Sequence, residues 1–180
     1  VDQIARIGAQ IVGMSAYLWS FPTFVEVAAR AKRMRPELTV VMGGPSARPA
    51  MFALAPFARH AQSIDALVTA DGELPFRDLA RLDRRGPSDL RDVRGLTLRS
   101  LSGWSKTRSP DPLVLDDLAS PLQMGLVVPG RTFALETYRG CPMSCSFCQW
   151  GEMNPERTVF SADYITRELE ALRAQRMPLP

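Results

Sequence analysis

Cysteine is missing from the first 140 of the 180 positions, and the chain has a single histidine, His60. A disulfide-stapled fold has nothing to build on over that length, and an odd total of three cysteines is a poor disulfide framework anywhere. The mixed Cys/His sets of structural zinc have only one imidazole to draw on, and it lies far along the chain from the thiols. Long apolar runs are scarce too. The longest, Ile11–Trp19, is about half of the roughly 20 residues that a spanning helix needs. No basic stretch followed by an apolar core and a small-residue cleavage site opens the sequence, so neither a membrane nor a secreted location is expected. An excess of one charge is also lacking: 22 basic residues stand against 19 acidic ones, spread along the chain for a net +3. A nucleic-acid partner is therefore not expected, because such binders concentrate basic residues on one face or segment. With 46% hydrophobic and 23% charged residues, the composition is that of a folded globular protein.

The pattern up to about residue 83 alternates strand and helix. Ile11–Tyr17 reads as a strand buried on both faces, and Pro22–Arg35 as a helix with Phe24, Val27, Ala28, Ala31 and Met34 on one stripe. Leu38–Met42 is the next strand, broken by Gly43-Gly44-Pro45. A short helix near Met51–Ala61, a strand at Ile64–Thr69 and a helix at Pro75–Leu82 follow. This order implies an open α/β domain with a parallel sheet, residues 1–83. Its opening helix, with Ile4 and Ile7 on one face, and the helix that closes the sequence both read as cut, so further strands are expected upstream. Residues 84–130 change texture, being rich in Pro, Gly, Ser and Asp, with a hairpin across Leu101-Ser102-Gly103; they read as a connector between domains. From 131 to 180 a strand at Thr132–Thr137, a loop and a helix at Ala162–Arg176 capped by Ser161 make one βα unit, with Ile165, Leu169 and Leu172 as its buried stripe.

The loop holds all the cysteines, in Glu136-Thr137-Tyr138-Arg139-Gly140-Cys141-Pro142-Met143-Ser144-Cys145-Ser146-Phe147-Cys148. Thiols so closely spaced point to metal binding in a reducing compartment, hence a cytoplasmic location. Three thiolates do not saturate a [4Fe–4S] cluster, which takes four, so one iron would stay open to another ligand. Structural zinc prefers four protein ligands. The run Arg139-Gly140-Cys141 through Phe147-Cys148 resembles the cluster loop of radical S-adenosylmethionine enzymes. The resemblance implies that Cys141, Cys145 and Cys148 bind the [4Fe–4S] cluster and that its open iron chelates S-adenosylmethionine. It places Phe147 near the adenine and makes the 131–180 segment the start of a partial TIM-type barrel. Reductive cleavage to methionine and a 5′-deoxyadenosyl radical is the implied chemistry, with a flavodoxin or ferredoxin as reductant. Trp150, just past the loop, is placed to shield a cluster, and Arg139 and Arg157 to offset thiolate charge or to sit in solvent.

Upstream, Ser15 and the Gly43-Gly44 pair fall at the carboxyl ends of two strands, where open parallel sheets bind ligands. Glycines there let a bulky ligand approach the backbone. The pair of strand ends resembles a cobalamin-binding domain of flavodoxin-like fold, with Tyr17 where that family has leucine. The resemblance implies cobalamin contacts from Ser15, Tyr17, Gly43, Gly44, Asp71, Gly72 and Glu73; for Asp71–Glu73 a simple turn with a carboxylate at a helix start is an equal reading. His60 lies away from the strand ends and reads as a core or surface histidine. Together the two resemblances suggest part of a cobalamin-dependent radical S-adenosylmethionine enzyme, most often a methyltransferase, acting on a small molecule or peptide. A whole barrel needs about 200 residues, so the 180 residues alone are expected to be inactive. The alternatives are a radical enzyme without cobalamin and a non-catalytic iron–sulfur or zinc module.

Overall fold

A computed structural model describes residues 1–127, 134–141, 143, 145–148 and 158–175. It divides into two compact units, Val1–Pro112 and Leu113–Pro180. No helix among the described residues is long and apolar enough to cross a membrane.

The first unit is built on a five-stranded sheet of order β1-β2-β3-β4-β5. The strands are β1 (Ile11–Ser15), β2 (Thr39–Gly43), β3 (Ala66–Val68), β4 (Leu96–Ser100) and β5 (Gly103–Lys106). β1 runs parallel to β2, with Ile11 opposite Thr39 and Ser15 opposite Gly43, and β2 runs parallel to β3. β4 adds antiparallel to β3 and turns back through a hairpin into β5, so the sheet is mixed. The helices are α1 (Asp2–Arg6), α2 (Phe21–Met34), α3 (Ala55–Ala58), α4 (Glu73–Ala80) and α5 (Pro87–Asp92).

β2 shows why an unbroken apolar run marks a central strand. Successive side chains point to opposite faces. Val40 and Met42 join Phe21, Val25 and Ala28 of α2 in one core, whereas Val41 joins Ala66, Val68, Leu79 and Leu90 in the other. Both layers are apolar, so alternation disappears. Lys32 of α2 reaches Asp65 at 2.7 Å, and Asp65 Oδ2 accepts the Val40 N–H at 2.7 Å, tying helix to sheet edge-on.

The α2 stripe differs from expectation. The buried residues are Phe21, Val25, Ala28, Ala29 and Ala31, while Met34 is exposed. Phe24 and Val27 are only partly buried, as are Val1 and Ile4 in the same cluster. The helix thus serves the sheet with one face and α1 with the next. The expected helix near Met51–Ala61 is broken into a 3₁₀ turn at Pro49–Ala53, the single turn of α3, and a 3₁₀ turn at Ala61–Ser63.

The second unit contains a 3₁₀ turn at Leu115–Asp117, strands β6 (Tyr138–Arg139) and β7 (Thr158–Val159), and helix α6 (Ala162–Ala174). β6 and β7 pair antiparallel, Tyr138 with Val159 and Arg139 with Thr158. The strand expected at Thr132–Thr137 falls partly outside the described residues. The described part, Ala134–Thr137, forms no strand, and pairing begins only at Tyr138, antiparallel to β7. Ser161 caps α6 as expected, its hydroxyl oxygen accepting the Tyr164 N–H at 3.1 Å. The buried stripe of α6 is Tyr164, Glu168 and Leu172; Leu169 is exposed. A carboxylate takes the expected leucine's place because Gln123 Nε2 donates to it at 2.6 Å, which offsets the cost of burying it.

Candidate functional site

The residues singled out in the first unit gather at the carboxyl ends of β1, β2 and β3. Ser15 is exposed at the end of β1, and Gly43 faces it in register across the parallel pair. Gly13, two residues before Ser15 and on the same face, is exposed as well. Where the strand ends meet, Ser15 and Gly43 carry no side chain larger than a hydroxymethyl group. Ser15 is exposed and a Cβ on Gly43 would meet only ordinary contacts, so these two residues fit close approach by a bulky group such as a corrin.

The two glycines after β2 have different reasons to be glycine. At Gly44, with φ +89°, a Cβ would lie 2.8 Å from the Ala16 carbonyl oxygen and 2.9 Å from the Ala16 nitrogen. That crowding comes from the fold itself: Ala16 N–H donates to the Gly43 carbonyl at 2.7 Å, and Ser46 N–H donates to the Ala16 carbonyl at 3.0 Å. At Gly43 a Cβ would meet only Val68, at 3.8 and 3.9 Å, which is ordinary contact. Its missing side chain is spent on nothing inside the protein.

Tyr17 follows in the β1–α2 turn, where its N–H donates to Ser20 Oγ at 3.0 Å. Its ring stacks on Trp19 with centroids 4.9 Å apart, and Trp19 is 79% exposed. Gly72 is the N-cap of α4 and accepts the Phe76 N–H at 2.9 Å; Glu73 supplies a carboxylate in the first helical turn, where the helix dipole favours it. Asp71, Gly72 and Glu73 are all half-buried.

Phe76 and Gly13 escaped the sequence reading. A Cβ on Gly13 would approach the Phe76 ring to 3.0 Å, so the ring of α4 lies over the glycine of β1. A glycine inside an apolar strand was the available signal, since it marks close approach of another group. His60 is buried, with Nε2 3.0 Å from Arg59 Nε and 3.1 Å from Glu26 Oε1. It belongs to the turn after α3 and to the α2 face, not to the strand ends.

In the second unit, β6 ends one residue before Gly140, whose φ of +89° turns the chain into Cys141. Arg139 lies against Glu136 through two bonds of 3.0 Å, Nε to Oε1 and a terminal nitrogen to Oε2. That bidentate pair holds the entry to the loop. Cys148 N–H donates to the Cys145 carbonyl at 3.0 Å, closing a turn over Ser146 and Phe147. Cys141 is half-buried, Cys145 and Cys148 are exposed, and all three are free thiols. Phe147 projects at 89% exposure. The structure does not draw the thiols together: among the described residues no three His, Cys, Asp or Glu side chains form a metal-holding group. The donor set itself, three free thiols within eight residues just after β6, has the chemistry an iron–sulfur cluster takes. Trp150 and Arg157 lie outside the described residues.

The B12 binding domain family matches residues 1–80. A 2-(S-pantetheinyl)-carbapenam-3-carboxylate methyltransferase from Streptantibioticus cattleyicolor is 32% identical over 94% of this chain and 27% of its own length. The cobalamin-dependent radical SAM methyltransferase TokK from Streptomyces tokunonensis is 34% identical over 78% of this chain and 22% of its own. The chain thus spans about a quarter of the length of these two relatives. Among solved structures, the radical S-adenosylmethionine methyltransferase TsrM from Kitasatospora setae, with cobalamin and a [4Fe-4S] cluster bound, superposes with a TM-score of 0.61. It is 17% identical and covers 93% of this chain and 36% of that one, a likeness of fold.

Proposed function

From a chain that carries a B12 binding domain over residues 1–80 and is homologous to cobalamin-dependent radical S-adenosylmethionine methyltransferases, we propose part of an enzyme that transfers a methyl group to an unactivated centre. The observation that carries this reading is the presence, in one chain, of small residues at two paired strand ends, Ser15 beside Gly43, and of three free thiols in a CxxxCxxC loop. When bound, cobalamin would supply the methyl group, and a [4Fe–4S] cluster with S-adenosylmethionine would supply the radical that activates the substrate.

The chain's own residues then divide the work. Ser15, Tyr17, Gly43 and Gly44 border the corrinoid side, with Asp71, Gly72 and Glu73 at the end of β3. Cys141, Cys145 and Cys148 hold the cluster by thiolate, and Phe147, exposed on the turn between the last two, offers a ring to the adenine. Reductive chemistry at such a cluster draws one electron at a time, which a flavodoxin or ferredoxin supplies in a reducing, cytoplasmic setting. The substrate is a small molecule or peptide.

The test uses the full-length protein, loaded anaerobically with iron, sulfide and cobalamin. Expected are a corrinoid absorption band that survives gel filtration, and 5′-deoxyadenosine formed on reduction with S-adenosylmethionine present. Cleavage without retained corrinoid points to a radical enzyme lacking cobalamin, and a cluster indifferent to S-adenosylmethionine points to a binding module. Gly43→Ala sharpens the corrinoid half. Its Cβ meets only ordinary contacts, so unfolding free energy should stay within about 1 kcal/mol of the parent. Corrinoid affinity should fall about tenfold from the lost close approach. Unchanged affinity would place the ligand elsewhere.

A further inference from the structure

Residues 113–126 have the composition of a linker but are bonded along α6. Leu115 is buried with Phe160 and Tyr164, and Leu122 with Leu172. Besides the Gln123–Glu168 bond, Gln175 Nε2 donates to the Leu122 carbonyl at 2.7 Å. At the helix's other end, Asp116 Oδ1 accepts the backbone N–H of Ser161 at 3.0 Å.

That last bond falls on a particular group. In a complete capping box the cap side chain takes the N–H three residues on, and the residue there reaches back to the cap's own N–H. Ser161 performs the first half on Tyr164. Tyr164 stacks on Phe160 and is buried, and it has no carboxylate to return. Asp116, 45 positions upstream, fills the second half. A carboxylate at a helix N-terminus is also favoured by the dipole, and its bond to an N–H is charge-assisted. Both the hydroxyl and the N–H of Ser161 hold the Asp116 carboxyl below the ordinary range. Ser161 lies two residues past β7, the strand that closes the cysteine loop against β6, and between them Phe160 N–H donates to the Thr137 carbonyl at 3.2 Å.

We propose that Asp116 is a positioning residue for the cysteine loop: by completing the cap of α6 from a distant segment, it fixes the base from which Cys141, Cys145 and Cys148 are presented. The assignment rests on the cluster reading above. Asp116→Ala and Asp116→Asn are compared with the parent in the full-length protein after anaerobic assembly with iron and sulfide. Asparagine keeps an oxygen that accepts the Ser161 N–H. The readouts are iron per chain, the rate at which a chelator strips that iron, and the change that S-adenosylmethionine makes in the electron paramagnetic resonance spectrum of the reduced cluster. Asp116→Ala is expected to lose iron about tenfold faster and to broaden that spectrum, with Asp116→Asn within about threefold of the parent. Equal stripping rates for Asp116→Ala and the parent overturn the assignment, as does an asparagine variant no better than alanine. A parent protein that takes up no iron overturns the cluster reading as well, and is recognised before any variant is compared.

Discussion

Alanine at any one of Cys141, Cys145 or Cys148 is expected to abolish stable iron binding by the full-length protein. Three thiolates already leave a four-iron cluster one ligand short. Removing another leaves two, and among the described residues no group of His, Cys, Asp or Glu side chains stands ready to hold a metal instead. Iron per chain should fall from about four to below about one, and all S-adenosylmethionine cleavage should disappear with it. The loss should be equal at the three positions despite their different exposure, because cluster assembly needs all three ligands together. The folded first unit contains none of them, so corrinoid binding should survive in every variant. Iron counts that stay near four in one variant would remove that cysteine from the ligand set. A parent protein holding one zinc per chain would instead support a non-catalytic binding module.

Phe147 offers the graded counterpart. Its ring is exposed and takes no part in the hydrophobic clusters of the second unit, so its loss removes contact surface for a ligand without removing core. The turn that Cys148 N–H closes on the Cys145 carbonyl sets Phe147 between two of the thiols proposed as cluster ligands.

The parallel part of the sheet was legible because Val40, Val41 and Met42 are apolar on both faces, and a β-branched run of that length between glycine and proline signals has few other uses. The cysteine loop invites a metal reading from spacing alone, and the described residues bring no metal-holding group together there. Other features depend on partners distant in sequence. The hairpin of β4 and β5 could be seen locally, but its antiparallel union with β3 could not, since edge pairing is decided by which strands meet after folding. Glu168 reads as a solvated residue until Gln123 is found beside it. Asp116 has no local reason to matter at all. The sequence periodicity of α2 placed the right face toward the sheet only to within one residue, because Phe24 and Val27 are shared with α1. What covers Gly13 is likewise set at a distance, since its neighbour Phe76 belongs to a helix that starts 60 positions later.

The largest stability effect in the first unit is expected from Gly44→Ala, although the adjacent Gly43→Ala should be nearly silent. An alanine at φ +89° holds a strained backbone, which costs about 1–3 kcal/mol in itself. The added Cβ would also stand 2.8 and 2.9 Å from backbone atoms of Ala16, and backbone cannot move aside as a side-chain tip can. Relief requires parting the ends of β1 and β2, where Ala16 N–H meets the Gly43 carbonyl and Ser46 N–H meets the Ala16 carbonyl. Overpacking of this kind adds about 1–3 kcal/mol, so a total of roughly 2–6 kcal/mol is expected, a large share of a domain's usual stability. Urea unfolding of the full-length protein followed by tryptophan fluorescence would measure it. Trp19 and Trp104 report on the first unit, and the midpoint should drop while the slope for that transition stays the same. A drop below about 1 kcal/mol would mean that the strand ends part readily. The floor on which the corrinoid is proposed to rest would then be pliable, and the tenfold loss expected for Gly43→Ala would shrink with it. The two adjacent glycines therefore test each other: rigidity measured at Gly44 is the condition under which crowding at Gly43 can be felt by a ligand.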